Sequence, residues 1–268
     1  MIASKLMQFK QSGEKLAMLT CYDATFAKLM VEQGVDILLV GDSLGMVLQG
    51  LADTLKVSIQ EMAYHTSMVR AGAPHAMIVT DMPANSYEHQ SADALRNAQA
   101  LLAAGADMVK IEGGGNTIAC TKYLVDHGIP VCGHLGFTPQ SVHQLGGYKI
   151  QGKTDMQAHQ ILHDALALQE AGASLLVLEM IPAALASQIT AALSIATIGI
   201  GAGVNCDGQV LVLHDLLGIY TGPASGKTFK SPRFVKNFLS AHGSIQSAIS
   251  HYVQAVKTAE FPGKEHSY

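Results

Sequence analysis

Charge is scarce in this chain. Only 14% of its 268 residues are Asp, Glu, Lys or Arg, and 17 basic against 21 acidic side chains leave a formal net charge of −4. That balance gives no basic surface for nucleic acid or for an anionic membrane. Long apolar runs are missing too: none approaches the roughly 18 residues of a membrane span. The opening MIASKLMQFKQSGEK lacks the apolar core of a signal peptide. The four cysteines, Cys21, Cys120, Cys132 and Cys206, form no CxxC pair, so neither a zinc knuckle nor a disulfide framework is indicated. A reduced, cytoplasmic enzyme or binding protein, with no nucleic-acid or membrane partner, is the expectation.

What is abundant is hydrophobic residues, 49% of the chain, with 26 glycines. Such a composition suits buried parallel strands covered by helices. Strand candidates at 15–20, 37–41, 76–80, 108–111, 130–132, 174–178 and 197–200 alternate with helical stretches, and an eighth strand is expected within 209–213. Asp23 and Ser58 are expected helix caps, Gly34 a helix stop, and Pro182 the opening of a helix. Helices are also expected at about 4–10 and, after the last strand, at 232–241 and 244–258. Seven or eight alternations without a break in composition predict one domain over residues 1–268, a closed (β/α)8 TIM barrel of the α/β class with C-terminal helices. An open doubly wound sheet is the competing architecture, but the dinucleotide fingerprint fails because Cys206 stands where a third glycine would follow Gly201 and Gly203.

The C-terminal edge of barrel strands is the working face of such folds. Here ILLVGDSLG ends in Asp42 and Ser43, and the next strands end in Asp81, in Glu112, at His134 and in Glu179. Four carboxylates at one mouth repel one another unless a cation or proton intervenes. Oxygen-only ligands with few side chains point to Mg²⁺ rather than Zn²⁺ or Ca²⁺, and a histidine site built from His65, His134 and His143 has no HxxxH pair to support it. Helix capping is the other reading of Asp42 and Asp81. Lys110 and Glu112, two apart in a strand, share a face, and a lysine inside a barrel needs an anion beside it. Glu179 follows SLLVL, so apolar surroundings that raise its pKa are expected, the alternative being a pair with a nearby lysine or histidine. His134 is either a substrate contact or a histidine satisfied by backbone. Gly199, Gly201 and Gly203 could form an anion nest or let the chain pass close by. Lys227, Lys230, Arg233 and Lys236 read as a solvated face or subunit contact.

The strings TCYDATFAKL, VGDSLGMVLQG, MVKIEGG, VCGHLGFTPQSV, GGYKIQGK, LLVLEMIP, GIGAG and FPGKEHSY closely resemble the ketopantoate hydroxymethyltransferase family, in the expected order over nearly the whole chain. The resemblance implies a (β/α)8 barrel that makes ketopantoate from 3-methyl-2-oxobutanoate, with 5,10-methylenetetrahydrofolate as one-carbon donor and Mg²⁺ as metal, assembled as a decamer of two pentameric rings. It implies Mg²⁺ on Asp42, Asp81 and Glu112, the 2-oxo acid on Asp42, Ser43, Asp81 and Lys110, and Glu179 as proton acceptor. Two places depart from the family pattern: Ala84-Asn85 after Met82-Pro83, where bulkier residues are usual, and a longer, more polar segment at 220–231. A barrel lyase of the isocitrate lyase type would share the metal logic but should carry a KKCGH-type motif, which is missing. A non-catalytic 2-oxo acid binding barrel would bind without activating C3.

Overall fold

The computed structural model describes residues 2–223 and 231–268. Eight strands close into a parallel barrel in sequence order, β1 (Leu16–Thr20), β2 (Ile37–Val40), β3 (Met77–Asp81), β4 (Met108–Glu112), β5 (Val131–Gly136), β6 (Leu175–Glu179), β7 (Ala196–Ile200) and β8 (Gly208–Leu211), with β8 pairing back onto β1. Helix α1 (Ile2–Ser12) precedes the barrel. Around and above it lie α2 (Ala24–Glu32), α3 (Leu44–Val47), α4 (Ile59–Gly72), α5 (Ser91–Ala103), α6 (Asn116–Asp126), α7 (Asp155–Glu170), α8 (Ala183–Ala192) and α9 (Leu213–Leu216). Two C-terminal helices, α10 (Leu239–His242) and α11 (Ile245–Lys257), follow, and short 3-10 turns stand at Pro139–Ser141 and Lys264–His266. No helix among the described residues is long and apolar enough to cross a membrane.

Local chemistry explains the boundaries. Asp23 caps α2 by accepting the Phe26 N–H, and Gly34 turns the chain at φ +87°. Ser58 and Glu61 form a reciprocal capping box at the start of α4. The strands are buried on both faces, as parallel strands under helices must be. The β1/β8 seam is covered by α11, whose buried Tyr252 hydroxyl lies 2.9 Å from both Met18 O and Gln209 O. Phe238 and Phe261 pack edge-on around the Tyr252 ring.

Two expectations need correction. β5 runs on through Gly133-His134-Leu135-Gly136 instead of stopping at 132, so His134 is a strand residue. Glycine at 133 leaves the room that Leu168 and Leu176 fill on the outside of the sheet. The helix expected at 232–241 is only Leu239–His242. Phe234 and Phe238 are instead drawn inward, and the Phe238 N–H donates to Leu216 O at 2.9 Å, so tertiary capture overrides the helical pattern.

At the N-terminal end of the barrel, acids stand immediately before β2, β4 and β8 and bind across to the neighbouring strand. Asp36 accepts the Ala17 N–H, Asp107 that of Ile78 and Asp207 that of Thr197, each at 2.8 Å. A base completes each: Lys257 at 2.8 Å, Arg70 at 2.7 Å and Lys10 at 2.8 Å. These acids are satisfied, as stabilising groups at the bottom of a barrel should be.

Candidate active site

The acids at the opposite end are arranged differently. In the barrel register Asp81 stands beside Lys110, and Glu112 beside His134. Lys110 and Glu112 share the inward face. Glu179 aligns with Gly136, two residues beyond His134, so their side chains also point inward. Gly136, at φ +95°, is required there, because a Cβ would collide with the Glu179 carbonyl oxygen.

Lys110 Nζ lies 3.0 Å from Asp81 Oδ1, 3.6 Å from Glu112 Oε1 and 3.2 Å from His134 Nδ1. His134 continues the chain: its Nδ1 is 3.3 Å from Glu112 Oε1 and its Nε2 is 3.2 Å from Glu179 Oε2. The apolar enclosure expected around Glu179 is therefore interrupted by an imidazole, and its side chain keeps 13% exposure toward the mouth. Asp42 and Asp81 are not helix caps. The Asp42 N–H donates to Asp81 Oδ2 at 3.0 Å, and Asp42 Oδ2 accepts from Gln140 Nε2 at 2.9 Å. Ser43 precedes α3 without a capping bond from its side chain, and its hydroxyl lies 2.9 Å from the Tyr22 hydroxyl.

Electrostatics follow from this packing. Burial, then repulsion by Asp81 and Glu112, holds the Asp42 carboxyl well above the usual range. Burial also raises Asp81, although Lys110 opposes it. For Glu112 burial is outweighed by Lys110 and His134, and its carboxyl is lowered. Burial works against the Lys110 ammonium, but Asp81, Glu112 and Asp42 together keep it charged. Burial and Lys110 oppose a proton on His134, yet Glu112 and Glu179 raise it to about 9. The 3.2 Å contact with Lys110 needs the Nδ1 lone pair, so the ring can become an imidazolium only if Lys110 turns toward Asp81.

Among the described residues no three His, Cys, Asp or Glu side chains form a ready-made metal cage. The donor chemistry nonetheless fits a hard cation. Asp81 Oδ1 and Glu112 Oε1 are buried and face only Lys110 and His134, through ion-pair contacts and not well-formed hydrogen bonds, and Asp42 is pushed toward protonation by burial and by the neighbouring carboxylates Asp81 and Glu112. A cation that keeps several waters needs only one or two carboxylates from the protein. The histidine alternative does not assemble: His65 Nδ1 lies 2.8 Å from Tyr22 O, and His143 faces Asp53 at the exposed rim. All four cysteines are buried and free, their thiols pushed up by burial to about 11 or 12, which suits no thiol chemistry.

Gln140 and Tyr87 were not singled out in the sequence. Gln140, in the 3-10 turn Pro139–Ser141 directly after β5, donates its backbone N–H to Glu112 Oε2 at 3.0 Å and its side-chain amide to Asp42 and to Met82 O. Tyr87 donates to Gln140 Oε1 at 2.7 Å and accepts the Glu112 N–H at 3.1 Å. The only sequence signal for Gln140 is its position in the glycine-bearing loop after a site strand. At the departure Met82-Pro83-Ala84-Asn85, Asn85 takes φ +66° and its N–H donates to Glu88, while Met82 is fully buried.

The strand-end acids open into a cavity of about 640 Å³ at the C-terminal mouth, reached also by Tyr148, Asp215, Phe234 and Tyr268. A smaller cavity of about 420 Å³ near α1 and the end of α4 contains none of these acids. Gly203 passes close to α8, where a Cβ would meet Ala183 Cβ at 2.5 Å, so close approach rather than an anion nest accounts for that glycine. Arg233 donates to the Glu265 and Lys264 carbonyls and Lys236 lies over the Phe238 ring, so both belong to C-terminal packing. Lys227, Lys230 and most of the 220–231 segment lie outside the described residues.

Solved structures with this architecture include a 2,3-dimethylmalate lyase of the PEP mutase/isocitrate lyase superfamily (TM-score 0.58, 17% identity, 78% of this chain and 80% of that one). A phosphoenolpyruvate phosphomutase from Streptomyces platensis is similar (TM-score 0.61, 13% identity, 81% and 82%). At these identities the likeness is one of fold. Sequence similarity goes further. A 3-methyl-2-oxobutanoate hydroxymethyltransferase from Methylobacillus flagellatus is 57% identical over 263 residues, covering 98% of each chain. One from Nitrosospira multiformis is 56% identical over 261 residues, covering 97% of each. The family model for ketopantoate hydroxymethyltransferase matches residues 1–264. The chain belongs to the ketopantoate hydroxymethyltransferase family.

Proposed function

We propose that this protein, acting as one barrel domain in the cytoplasm, transfers a hydroxymethyl group from 5,10-methylenetetrahydrofolate to 3-methyl-2-oxobutanoate, giving 2-dehydropantoate. The observation that carries the reading is the continuous inward-facing chain Asp81–Lys110–Glu112–His134–Glu179 beside Asp42, in a member of this family.

The proposed metal is Mg²⁺, with Asp42, Asp81 and Glu112 as the carboxylates that would hold it. When bound, it would supply Lewis acidity toward the keto oxygen of the substrate. Lys110, fixed between Asp81 and Glu112, offsets negative charge where the substrate carboxylate would lie. Ser43, braced by Tyr22, orients the acid by hydrogen bonding. Glu179 takes the C3 proton, and the bonding pair becomes the C2–C3 double bond of the enolate. With its Nδ1 lone pair turned to Lys110, His134 presents its Nε2 proton to Glu179 at 3.2 Å and keeps the carboxylate aimed. C3 then attacks the one-carbon unit, and water supplies the hydroxyl as tetrahydrofolate leaves. The decamer implied by the family is part of the proposal; exposed Leu48, Tyr64, Met156 and Ile219 offer apolar surface for subunit contacts.

Incubation with 3-methyl-2-oxobutanoate, methylenetetrahydrofolate and Mg²⁺ should give 2-dehydropantoate and tetrahydrofolate in equal amounts by mass spectrometry. An absence of product from folded protein would overturn the reading.

A further inference from the structure

The cavity at the barrel mouth is larger than a five-carbon acid needs; at about 640 Å³ it lies in the range of pockets that enclose drug-sized ligands. The groups assigned above sit on, or directly after, β2 to β6. One further carboxylate reaches the same cavity from elsewhere: Asp215, on α9 directly after β8. In a ring of eight strands β8 stands opposite β4, so Asp215 approaches from across the mouth from Lys110 and Glu112. Among the described residues no hydrogen bond and no ion pair engages its side chain, whereas the acids at the bottom of the barrel each have both. The walls nearby are flat and aromatic or apolar: Tyr148, Tyr220, Phe234 and Tyr268 line the cavity with Met180 and Ile200.

A half-buried carboxylate facing an apolar cavity calls for paired N–H donors. Two parallel bonds to one carboxylate are the strong form of that contact. Of the two substrates, the 2-oxo acid is an anion and offers no such donors. The folate offers a planar 2-amino-4-oxopyrimidine edge, with a ring N–H and an exocyclic amino group side by side. We infer that Asp215 anchors the pterin ring of the one-carbon donor, with the ring lying between the aromatic walls and its one-carbon unit directed toward Glu179. This rests on the proposed folate-dependent activity. Burial alone raises the Asp215 carboxyl to about 6. That is the expected state of an anion whose partner arrives only with the ligand, and it follows a pattern in which sites give up stability for function.

Binding of tetrahydrofolate to the full chain, followed by calorimetry, tests the inference. The probes are tetrahydrofolate and its analogue lacking the 2-amino group. Wild type should prefer tetrahydrofolate by roughly 10- to 100-fold, as loss of a charge-assisted bond implies. Asp215→Asn should weaken tetrahydrofolate by a similar factor and abolish the preference, while the KM for 3-methyl-2-oxobutanoate moves less than about 2-fold. An equal preference in both proteins overturns the assignment. If Asp215→Asn does not fold, the wild-type comparison decides alone, and equal binding of the two probes overturns it. Wild type that binds no tetrahydrofolate and makes no product removes the functional reading as well. Wild type that turns over normally, with Asp215→Asn binding as tightly as wild type, removes only the role of Asp215.

Discussion

Glu179 Oε2 stands 3.2 Å from His134 Nε2, two inward-facing groups delivered by adjacent strands β5 and β6. The contact leaves the carboxylate open to the cavity on its other side, which is what a base needs in order to reach a substrate carbon. Replacing Glu179 by Gln preserves shape and removes basicity. Since a positioned base contributes about 10²- to 10⁴-fold, Glu179→Gln should lower turnover by that order. Mn²⁺ binding, read by electron paramagnetic resonance, should remain. Loss of metal binding together with turnover would make Glu179 a metal-site residue instead.

Lys110 supports the site's charge as much as its chemistry. Removing it leaves Asp81 and Glu112 buried without their ammonium. Losing one partner of a buried ion pair typically costs about 3–5 kcal/mol. Lys110→Met should show a loss of that size in urea denaturation without metal, and added Mg²⁺ should recover part of it. Wild-type stability in the metal-free variant would contradict the burial and pairing described here.

Gln140 braces Asp42 and Glu112 from one turn. Groups that orient metal ligands typically contribute 10- to 100-fold in metal affinity. Gln140→Ala should therefore weaken Mn²⁺ binding by about that factor with the fold intact, since the backbone N–H to Glu112 survives. Unchanged affinity would mean the amide bond to Asp42 is incidental.

Asp215 gives a pH dependence with a defined sign. Burial raises its carboxyl to about 6, above the ordinary aspartate value of 3.8. As pH rises between those values the unfolded chain releases its proton first, so the folded state loses stability and carries a constant penalty above about pH 6. Asp215→Asn removes that penalty. At pH 8 it should be more stable than wild type by about 1 kcal/mol, allowing for water that reaches the cavity side. The advantage should shrink toward pH 4. A variant less stable than wild type at pH 8 would contradict this environment.

The barrel and the acids at its mouth were legible because both follow from repetition: an apolar run, a carboxylate, a helix, and the same again. Register then converts chain positions into neighbours, as with Asp81 and Lys110. Gln140 and Tyr87 were not legible, because loops place them and no period marks a loop. β5 looked short because glycines read as stops, whereas Gly133 and Gly136 are used for close packing within the sheet. Asp215 escaped notice because it follows β8, the strand with the weakest apolar run. At the C-terminal end, burial of Phe234 and Phe238 overrode helical spacing.

In the proposed reaction the groups around Glu179 remove the C3 proton of a 2-oxo acid. The direct measurement is deuterium exchange at C3 of 3-methyl-2-oxobutanoate in D₂O, followed by NMR without folate, with and without Mg²⁺. Exchange that depends on Mg²⁺ and falls at least 100-fold in Glu179→Gln is the predicted result. Exchange at the same rate in that variant, or none in the wild-type protein under either condition, would contradict the account.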